Sequence, residues 1–342
     1  MLPTGRKLLF ACLLLAVPLL VLAAILSGSR PAPAPPLPNP NGYDDFVSAG
    51  DAIVGDVTSF ASLTPEQLRG LVSSNAEPLR LTRLGLTRQC RFPLEAAATN
   101  IAAGGLGYVN LSLFKREALL LAAEGRLAEL DGRPADAARD YADAIALGNR
   151  MSLGGPLITR LVGIACETIG ARPLVKLAPN LSCDQARPIL AALERIDQER
   201  VTWDEVSRAE SRYMHAYLAQ EHYYRRPILL AMGWWQSRAP MRRSIDLHLL
   251  AVARLRLITA DLALRCYQSE QGRLPARLDD LVPQYLRSVP QDPFREQPLV
   301  FRPQGTNWLI YSVGPDGIDD GGKPLVKSKA GTRGDVLADS AW

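Results

Sequence analysis

An uncharged apolar run near the N-terminus constrains this chain more than any other feature of its sequence. Residues 8–26 carry no charged side chain, and Arg6 and Lys7 precede them. These nineteen residues, at about 1.5 Å each in a helix, nearly cross a hydrocarbon core of roughly 30 Å. Positive residues before such a helix favour the cytoplasm. We therefore expect a cytoplasmic tip over residues 1–7, a transmembrane helix over residues 8–28 and export of everything that follows.

The alternative for the same run is a cleaved signal peptide. Such peptides carry a shorter apolar region, of about 7–15 residues, and end in a small-x-small cleavage site. Residues 23–25 fit that site poorly, whereas Ser27-Gly28-Ser29 could be cut. Both interpretations export the remainder of the chain. For a bacterial protein, they predict a single-pass inner-membrane protein, or its cleaved product, with its bulk in the periplasm.

A proline-rich segment separates this run from the rest of the chain. Six prolines fall between residues 31 and 40. Proline cannot extend a helix or donate to a sheet ladder, and proline-rich chains form extended, semi-rigid spacers. Residues 29–42 are therefore predicted to hold the folded part away from the bilayer.

Composition narrows the functions that the exported part can have. The chain of 342 residues has 39 basic and 35 acidic side chains, without the concentrated basic face that nucleic-acid binding requires. A formal G-x-x-x-x-G-K pattern ends at Lys323, but Pro324 stands where a phosphate-binding loop needs Ser or Thr. Neither a nucleic acid nor a nucleotide is expected as a partner.

Four cysteines lie beyond the apolar run, at Cys90, Cys166, Cys183 and Cys266. Export permits disulfides, and four cysteines allow three pairings, among which spacing does not choose. Buried free thiols remain an equal alternative. No C-x-x-C occurs, so neither a zinc knuckle nor a thioredoxin-type motif is indicated.

Residues 43–240 have the pattern of a helical domain. Thr64 and Ser182 each begin a capping-box sequence, with glutamine three residues later. Residues 116–147 are predicted to form two helices around a turn at residues 131–134, and small residues would allow them to approach closely. These small residues are Ala123, Ala128, Ala137 and Ala144.

The segment EGRLAELDGRPADAARDYADAIALG within this hairpin resembles a tetratricopeptide repeat. Such hairpins bury their faces by stacking and need about three copies, of which only one is clear here. Residues 157–178 are a candidate for a degenerate neighbour. The alternative is a plain hairpin in an irregular helical domain. If the repeat interpretation holds, the implied role is protein binding.

A basic and aromatic stretch lies near the end of this domain, and no acidic residue occurs in it. Paired tryptophans with flanking arginines suit a membrane interface or a partner-docking surface, and also a buried joint between domains. The candidate patch comprises Tyr223, Tyr224, Arg225, Arg226, Trp234, Trp235, Arg238, Arg242 and Arg243.

Catalytic motifs are absent from the sequence apart from one weak constellation. His215 and His222 are two helical turns apart, and Glu221 adjoins His222. This triplet could form an acid–base or metal-binding group, and the alternative is a set of ordinary helix residues. An exported hydrolase or metal-dependent enzyme is therefore the alternative function, whereas nothing else in the chain argues for catalysis.

The C-terminal end shows an ordered series of motifs after a helix predicted over residues 244–271. They begin with Gly272-Arg273-Leu274-Pro275 and continue with Tyr285-Leu286 and Pro290-Gln291-Asp292-Pro293-Phe294. Strand candidates at residues 299–302 and 308–313 lead to Ser312-Val313-Gly314-Pro315-Asp316-Gly317 and Gly321-Gly322.

This order resembles the globular half of the major pseudopilins of type II secretion. The resemblance covers residues 245–322 and implies a small α+β domain, which we place at residues 241–322 before a tail of residues 323–342. The processing signal of that family has no counterpart here, because Gly5 is followed by Arg6 and Lys7 and position 10 is Phe10. A borrowed module is therefore expected, rather than a filament subunit.

The resemblance also implies a calcium site in the last loop. The family's Asp-Gly element falls on Asp316, and Lys323 stands where the family has its next acidic ligand. Asp319 and Asp320, or Asp335 and Asp339, could replace that ligand, since calcium takes about 6–8 oxygens. The alternative is a solvated acidic turn.

Together these features predict a mainly α protein with one membrane helix, a helical domain and a small α+β end. The function they favour is non-enzymatic: protein binding or assembly in the bacterial envelope, linked by the resemblance to a secretion-type machine.

Overall fold

The computed structural model describes residues 33–97, 111–220, 226–328 and 331–339, and its account of side chains leaves out residues 220–240 and 327–331. The predicted membrane helix of residues 8–28 lies outside this range. Among the helices of the described residues, none has the length and apolar character needed to cross a membrane.

The described chain is mainly helical, as the sequence predicts. Short 3-10 turns at Phe60–Ser62, Ala178–Asn180 and Leu278–Leu281 join some of the helices to their neighbours. The helices are α1 (Gly42–Ala52), α2 (Pro65–Ser74), α3 (Ala76–Thr87), α4 (Ser112–Leu130), α5 (Pro134–Arg150), α6 (Leu157–Leu177), α7 (Cys183–Gln198), α8 (Trp203–Gln220) and α9 (Arg226–Gln271).

Local signals start these helices where the sequence predicts. The capping boxes at Thr64 and Ser182 are both confirmed, with the hydroxyl accepting from the backbone N–H three residues on and the glutamine returning the bond. The α4–α5 hairpin is confirmed as well, and Gly132 supplies the positive φ of 70° that its turn requires.

Small residues allow α4, α5 and α6 to pack closely. The four alanines predicted to line the α4–α5 contact are all at most 1% exposed. At the α5–α6 contact, a Cβ placed on Gly148 or Gly163 would overlap the backbone of the facing helix. The backbones of α5 and α6 therefore meet directly, and all three helices pack closely together.

Two large hydrophobic cores include residues of these helices, and a third, smaller one packs Leu68 of α2 against Ala123 and Leu127 of α4. One joins α1, α3, α4, α5, α6 and α8 around Tyr43, Phe46 and Phe114. The other joins α5, α6, α7 and α9 to the C-terminal unit through residues such as Leu174, Leu193 and Leu264. The long helix α9 thus links the helical domain to the chain's last part.

The C-terminal unit consists of the end of α9 and three two-stranded antiparallel hairpins. The hairpins pair β1 (Gln291–Asp292) with β2 (Gln297–Pro298), β3 (Val300–Gln304) with β4 (Asn307–Tyr311), and β5 (Val326–Ser328) with β6 (Gly331–Arg333).

Strands β3 and β4 agree with the predicted pair, although the turn between them is only Gly305-Thr306 because Gln304 and Asn307 still pair. Helix α9 begins 18 residues before the predicted residue 244, at Arg226. Residues of the predicted tail fold onto the unit: Val336 is fully buried and exchanges two backbone hydrogen bonds with Ser312.

Candidate functional site

The weak catalytic constellation is only partly placed by the structure. His215 is exposed on α8, and its Nδ1 lies 2.8 Å from the carbonyl oxygen of Ser211 in the same helix. Glu221 and His222 lie outside the described residues. Glu210, on the same helix, accepts from the backbone N–H of Leu157 and so caps α6. Among the described residues, the contact given for His215 is the one with the Ser211 carbonyl oxygen, and no second functional group is placed beside it.

Most side chains of the basic and aromatic patch also lie outside the part of the chain that the structure describes. Tyr223, Tyr224 and Arg225 are outside the described residues, and the side chains of Arg226, Trp234, Trp235 and Arg238 are likewise not placed, although these four belong to α9. Arg242 and Arg243 are exposed on α9. Membrane binding and partner docking by this patch stay predictions.

The acidic loop of the C-terminal unit uses its carboxylates mostly as internal acceptors. Asp319 accepts from the Tyr311 hydroxyl at 2.7 Å and from the Arg302 guanidinium at 3.0 Å. Asp316 accepts backbone N–H bonds from Ile318 and Gly334. Asp335 is buried and accepts from the backbone N–H of Gly322 at 2.6 Å. Within the described residues, no group of three or more potential ligands is arranged to hold a metal.

The buried carboxylate of Asp292 is the structural centre of the C-terminal motifs. It accepts from the Ser312 hydroxyl and the Val313 backbone N–H, both at 2.8 Å, and from the Phe294 backbone N–H at 3.0 Å. Asp292 is 0% exposed. One side chain therefore holds the Asp-Pro-Phe turn against the Ser-Val-Gly segment that follows β4.

A groove lies between three alternate helices of the described chain. Helices α3 and α7 form its walls and α5 its floor, with a volume of about 750 Å³. The lining residues are Arg83, Leu86, Thr87, Ala135, Arg139, Ala142, Asp143, Ala146, Asn149, Arg150, Asp184, Gln185, Pro188, Ile189, Ala192, Arg195, Ile196 and Glu199.

An apolar strip runs along this groove between charged edges. Alanines at positions 142, 146 and 192 leave room that larger side chains would fill, and Ile189 and Ile196 add apolar surface beside them. Arg150 pairs with Glu199 at 2.7 Å across the α5–α7 side. The strip can bind apolar side chains, and the charged edges can orient the backbone or polar groups of a bound segment.

Arg83 anchors the other wall of the groove. Its guanidinium contacts Glu124 at 2.6 Å, Asp140 at 2.9 Å and Asp143 at 3.2 Å. Burial, together with the neighbouring charge of Glu124, raises the pKa of Asp140 to about 7 despite Arg83. These contacts tie α3 to α4 and α5 and so fix the width of the groove.

A buried ionic cluster lies behind the groove, where α6, α7 and α9 meet. Glu167 receives the guanidinium of Arg160 at 2.5 Å and that of Arg200 at 2.9 Å. Arg160 Nε donates to His248 Nδ1 at 3.0 Å. Burial and the two arginines lower the pKa of His248 to about 3, so its ring is neutral and Nδ1 is free to accept.

Sequence reasoning missed both the groove and this cluster. The cluster brings together positions 160, 167, 200 and 248, and no motif or regular spacing connects them. His215 and the undescribed His222 have a helical spacing that suggested a site, whereas of the two histidines that the structure describes, His248 is the buried one. The local signal for the cluster is the pair Arg160 and Glu167, which lie seven residues apart on the largely apolar helix α6.

Comparison with known proteins adds no assignment. No protein-family model, curated protein or solved structure matches this chain.

Proposed function

We propose that this protein is a membrane-anchored, extracytoplasmic binding scaffold of the bacterial envelope. Its groove between α3, α5 and α7 would hold an apolar segment of an exported partner protein. The observation that carries the proposal is that alternate helices line one continuous groove with an apolar strip. Stacked helical hairpins, whose implied role is protein binding, have this arrangement.

The dimensions and chemistry of the groove favour a polypeptide over a small reactive substrate. The groove is open and about 750 Å³ in volume, which suits several side chains of a bound segment. Most of its charged residues are already paired within the protein, as in Arg150–Glu199 and Arg83–Asp143. Paired charges orient a ligand and confer specificity, whereas catalysis calls for a group free to exchange protons.

The C-terminal unit supports a link to an assembly of the secretion type. Its motifs resemble those of the type II pseudopilins, and Asp292 joins two of them, Pro290–Phe294 and Ser312–Gly314, through buried hydrogen bonds. Calcium binding by the last loop is part of the same proposal, and titration calorimetry with millimolar calcium tests it.

The groove is tested by filling it in the full-length chain. Ala146→Trp places a large side chain on α5, which forms the floor of the groove. Ala76→Trp is the control, because Ala76 is an exposed residue at the start of α3 and does not line the groove. After crosslinking of native membranes and purification, the Ala146 variant should recover at least about tenfold less partner, equivalent to about 1.4 kcal/mol. Circular dichroism should show both variants folded.

Equal recovery of partners by the folded Ala146→Trp protein and the wild type would refute the groove as the binding site. Recovery that falls equally in the Ala76 variant would show a general effect of added tryptophan.

Topology is tested separately. A reporter that is active only outside the cytoplasm, fused after residue 40, should be active, and the same reporter fused after residue 7 should be inactive. The reverse pattern would refute export.

A further inference from the structure

Two cysteines of the described chain lie side by side at the contact between α7 and α9. Cys183 is the first residue of α7, and Cys266 lies near the end of α9. The Cys266 Sγ is 3.8 Å from the backbone carbonyl oxygen of Cys183, and burial and the neighbouring Cys266 thiol raise the pKa of the Cys183 thiol. Cys90 and Cys166 are buried in the other core.

We propose that Cys183 and Cys266 form a disulfide in the mature protein and that it locks one wall of the groove to the long helix. The bond rests on the proposed export, because disulfides persist in the periplasm and not in the bacterial cytoplasm.

Exposure decides which thiol of the pair reacts first. Cys183 is partly exposed, whereas Cys266 is 1% exposed, so an external oxidant reaches Cys183 first. Burial and the hydrogen bond that the Cys183 thiol donates to Glu270 at 3.1 Å raise the pKa of this thiol, whereas the charge of Arg187 lowers it. The exchange therefore proceeds through a small fraction of thiolate and becomes faster as pH rises.

The step balances with a dithiol–disulfide oxidant of the periplasm. The Cys183 thiolate attacks the oxidant's disulfide and forms a mixed disulfide, and one oxidant thiolate leaves. The Cys266 thiolate then attacks the Cys183 sulfur, forms the internal bond and releases the oxidant as a dithiol. Two protons and two electrons pass from the protein to the oxidant in total.

Glu270 remains fixed when Cys183 loses its proton. Its carboxylate also accepts from Arg187 at 2.6 Å and from the Tyr285 hydroxyl at 2.8 Å. Both partners belong to the same contact: Arg187 lies on α7, one turn after Cys183, and Tyr285 lies in the C-terminal unit. The disulfide therefore forms in a contact that is already organised.

The bond would affect the groove because α7 is one of its walls. Asp184 and Gln185 line the groove and directly follow Cys183. With the disulfide formed, the first turn of α7 cannot separate from α9, and the entrance of the groove keeps its width.

The test uses the full-length protein in detergent and in its native membrane. Purified protein is incubated with oxidised glutathione, free thiols are alkylated, and peptides are mapped by mass spectrometry. We expect one crosslinked peptide pair containing Cys183 and Cys266, about 2 Da lighter than its two thiol peptides, while Cys90 and Cys166 are recovered alkylated after unfolding. Membranes quenched in acid before alkylation should contain the same pair.

Two results would overturn the proposal in distinguishable ways. Full alkylation of Cys183 and Cys266 in the oxidised purified protein would refute the disulfide and leave export and groove binding intact. A bond that forms in purified protein but is absent from native membranes would refute the native disulfide and contradict the proposed compartment. Cys183→Ser should lose the crosslinked pair and, under oxidising conditions only, show faster amide exchange at the start of α7 than wild type.

Discussion

At the scale of single residues, a few buried carboxyl groups hold together parts of the chain that are distant in sequence. Asp292 is the clearest case, since three donors converge on it inside the C-terminal unit. Charge-assisted hydrogen bonds to a buried acceptor are strong, and removing the acceptor leaves its donors unsatisfied. The motif residue therefore acts as a structural clamp between the Asp-Pro turn and the segment after β4.

Replacing Asp292 should destabilise the C-terminal unit specifically. Asp292→Ala is expected to lower the free energy of unfolding by about 2–4 kcal/mol, because buried donors of Ser312 and Val313 lose their partner. Asp279→Ala is the matched control, since its side chain is 64% exposed, and should change stability by less than about 0.5 kcal/mol. Urea unfolding measures both. If Asp292→Ala changes the free energy of unfolding as little as Asp279→Ala does, the hydrogen bonds to Asp292 do not stabilise the unit.

Glu117 is a second buried carboxyl group, and its surroundings favour the protonated form. It is 1% exposed, and its Oε2 lies 2.9 Å from the Thr82 hydroxyl. That hydroxyl also lies 3.0 Å from the carbonyl oxygen of Pro78. Thr82 has one proton, so if it donates to Pro78, the carboxyl of Glu117 must be the donor to Thr82. Burial raises the pKa of Glu117 well above its ordinary value, consistent with a protonated acid.

A glutamine at position 117 should therefore change the pH dependence of stability. In wild type the folded carboxyl stays protonated while the unfolded one ionises above pH about 4.5, so stability falls as pH rises, by up to about 1.4 kcal/mol per unit. Glu117→Gln removes this loss. Its stability relative to wild type should rise between pH 4 and 7 in thermal unfolding, and exposed Glu66→Gln should show no such rise. A difference that does not vary with pH would contradict a protonated Glu117.

At the scale of helices, close contact between backbones sets the arrangement around the groove. Gly163 of α6 faces Gly148 of α5, and a Cβ on either would overlap the other's carbonyl oxygen. Gly70 of α2 has no atom within 4 Å of the place where a Cβ would stand. Substitution of Gly163 therefore tests both packing and helix propensity, whereas substitution of Gly70 tests helix propensity alone.

Alanine should have opposite effects at these two glycines. Gly163→Ala is expected to destabilise the protein by about 1–3 kcal/mol, because forced separation of the helices outweighs the better helix propensity of alanine. Gly70→Ala should stabilise it by about 0.5–1 kcal/mol, since only propensity changes. Thermal unfolding distinguishes the signs. A stabilising Gly163→Ala would show that α5 and α6 can separate without loss.

The difference between local propensity and packing over long distances in sequence explains which elements the sequence could predict. The capping boxes at Thr64 and Ser182 and the α4–α5 hairpin depend on residues within one or two turns, so they are readable from a local pattern. The groove depends on α3, α5 and α7, whose lining residues span positions 83 to 199 and are set by how hairpins stack. Only one hairpin carries a repeat-like pattern, and a single copy does not specify how its neighbours pack.

At the scale of the whole molecule, the buried ionic cluster connects elements that are distant in sequence. Arg160 and Glu167 lie on α6, Arg200 follows α7, and His248 lies on α9. Within the described residues, Arg160 Nη2 and Arg200 Nη2 have no hydrogen-bond partner, so Glu167 supplies the main compensation for both cations. Losing that carboxylate would loosen the wall formed by α7 and the attachment of α9 together.

Removing the charge of Glu167 should therefore destabilise the whole chain in a way that depends on pH. Burial alone would raise its pKa, but Arg160 and Arg200 outweigh burial and lower the pKa to about 2. The stabilisation is complete above the unfolded value of about 4.5 and is lost as pH falls from there through 2. Glu167→Gln should cost about 3–5 kcal/mol at pH 7, as expected when one partner of a buried ion pair is removed.

The difference between Glu167→Gln and wild type should then shrink below pH 4, which is the opposite trend to that of Glu117→Gln. Urea unfolding from pH 3 to 7, followed by fluorescence of Trp203 beside His248 and of Trp308 in the C-terminal unit, measures it. A single transition at both tryptophans would show that the cluster couples the two cores. If the transition shifts at Trp203 but not at Trp308, the cluster does not link the two cores. If the variant is destabilised equally at pH 3 and pH 7, the charge of Glu167 is not what stabilises the protein.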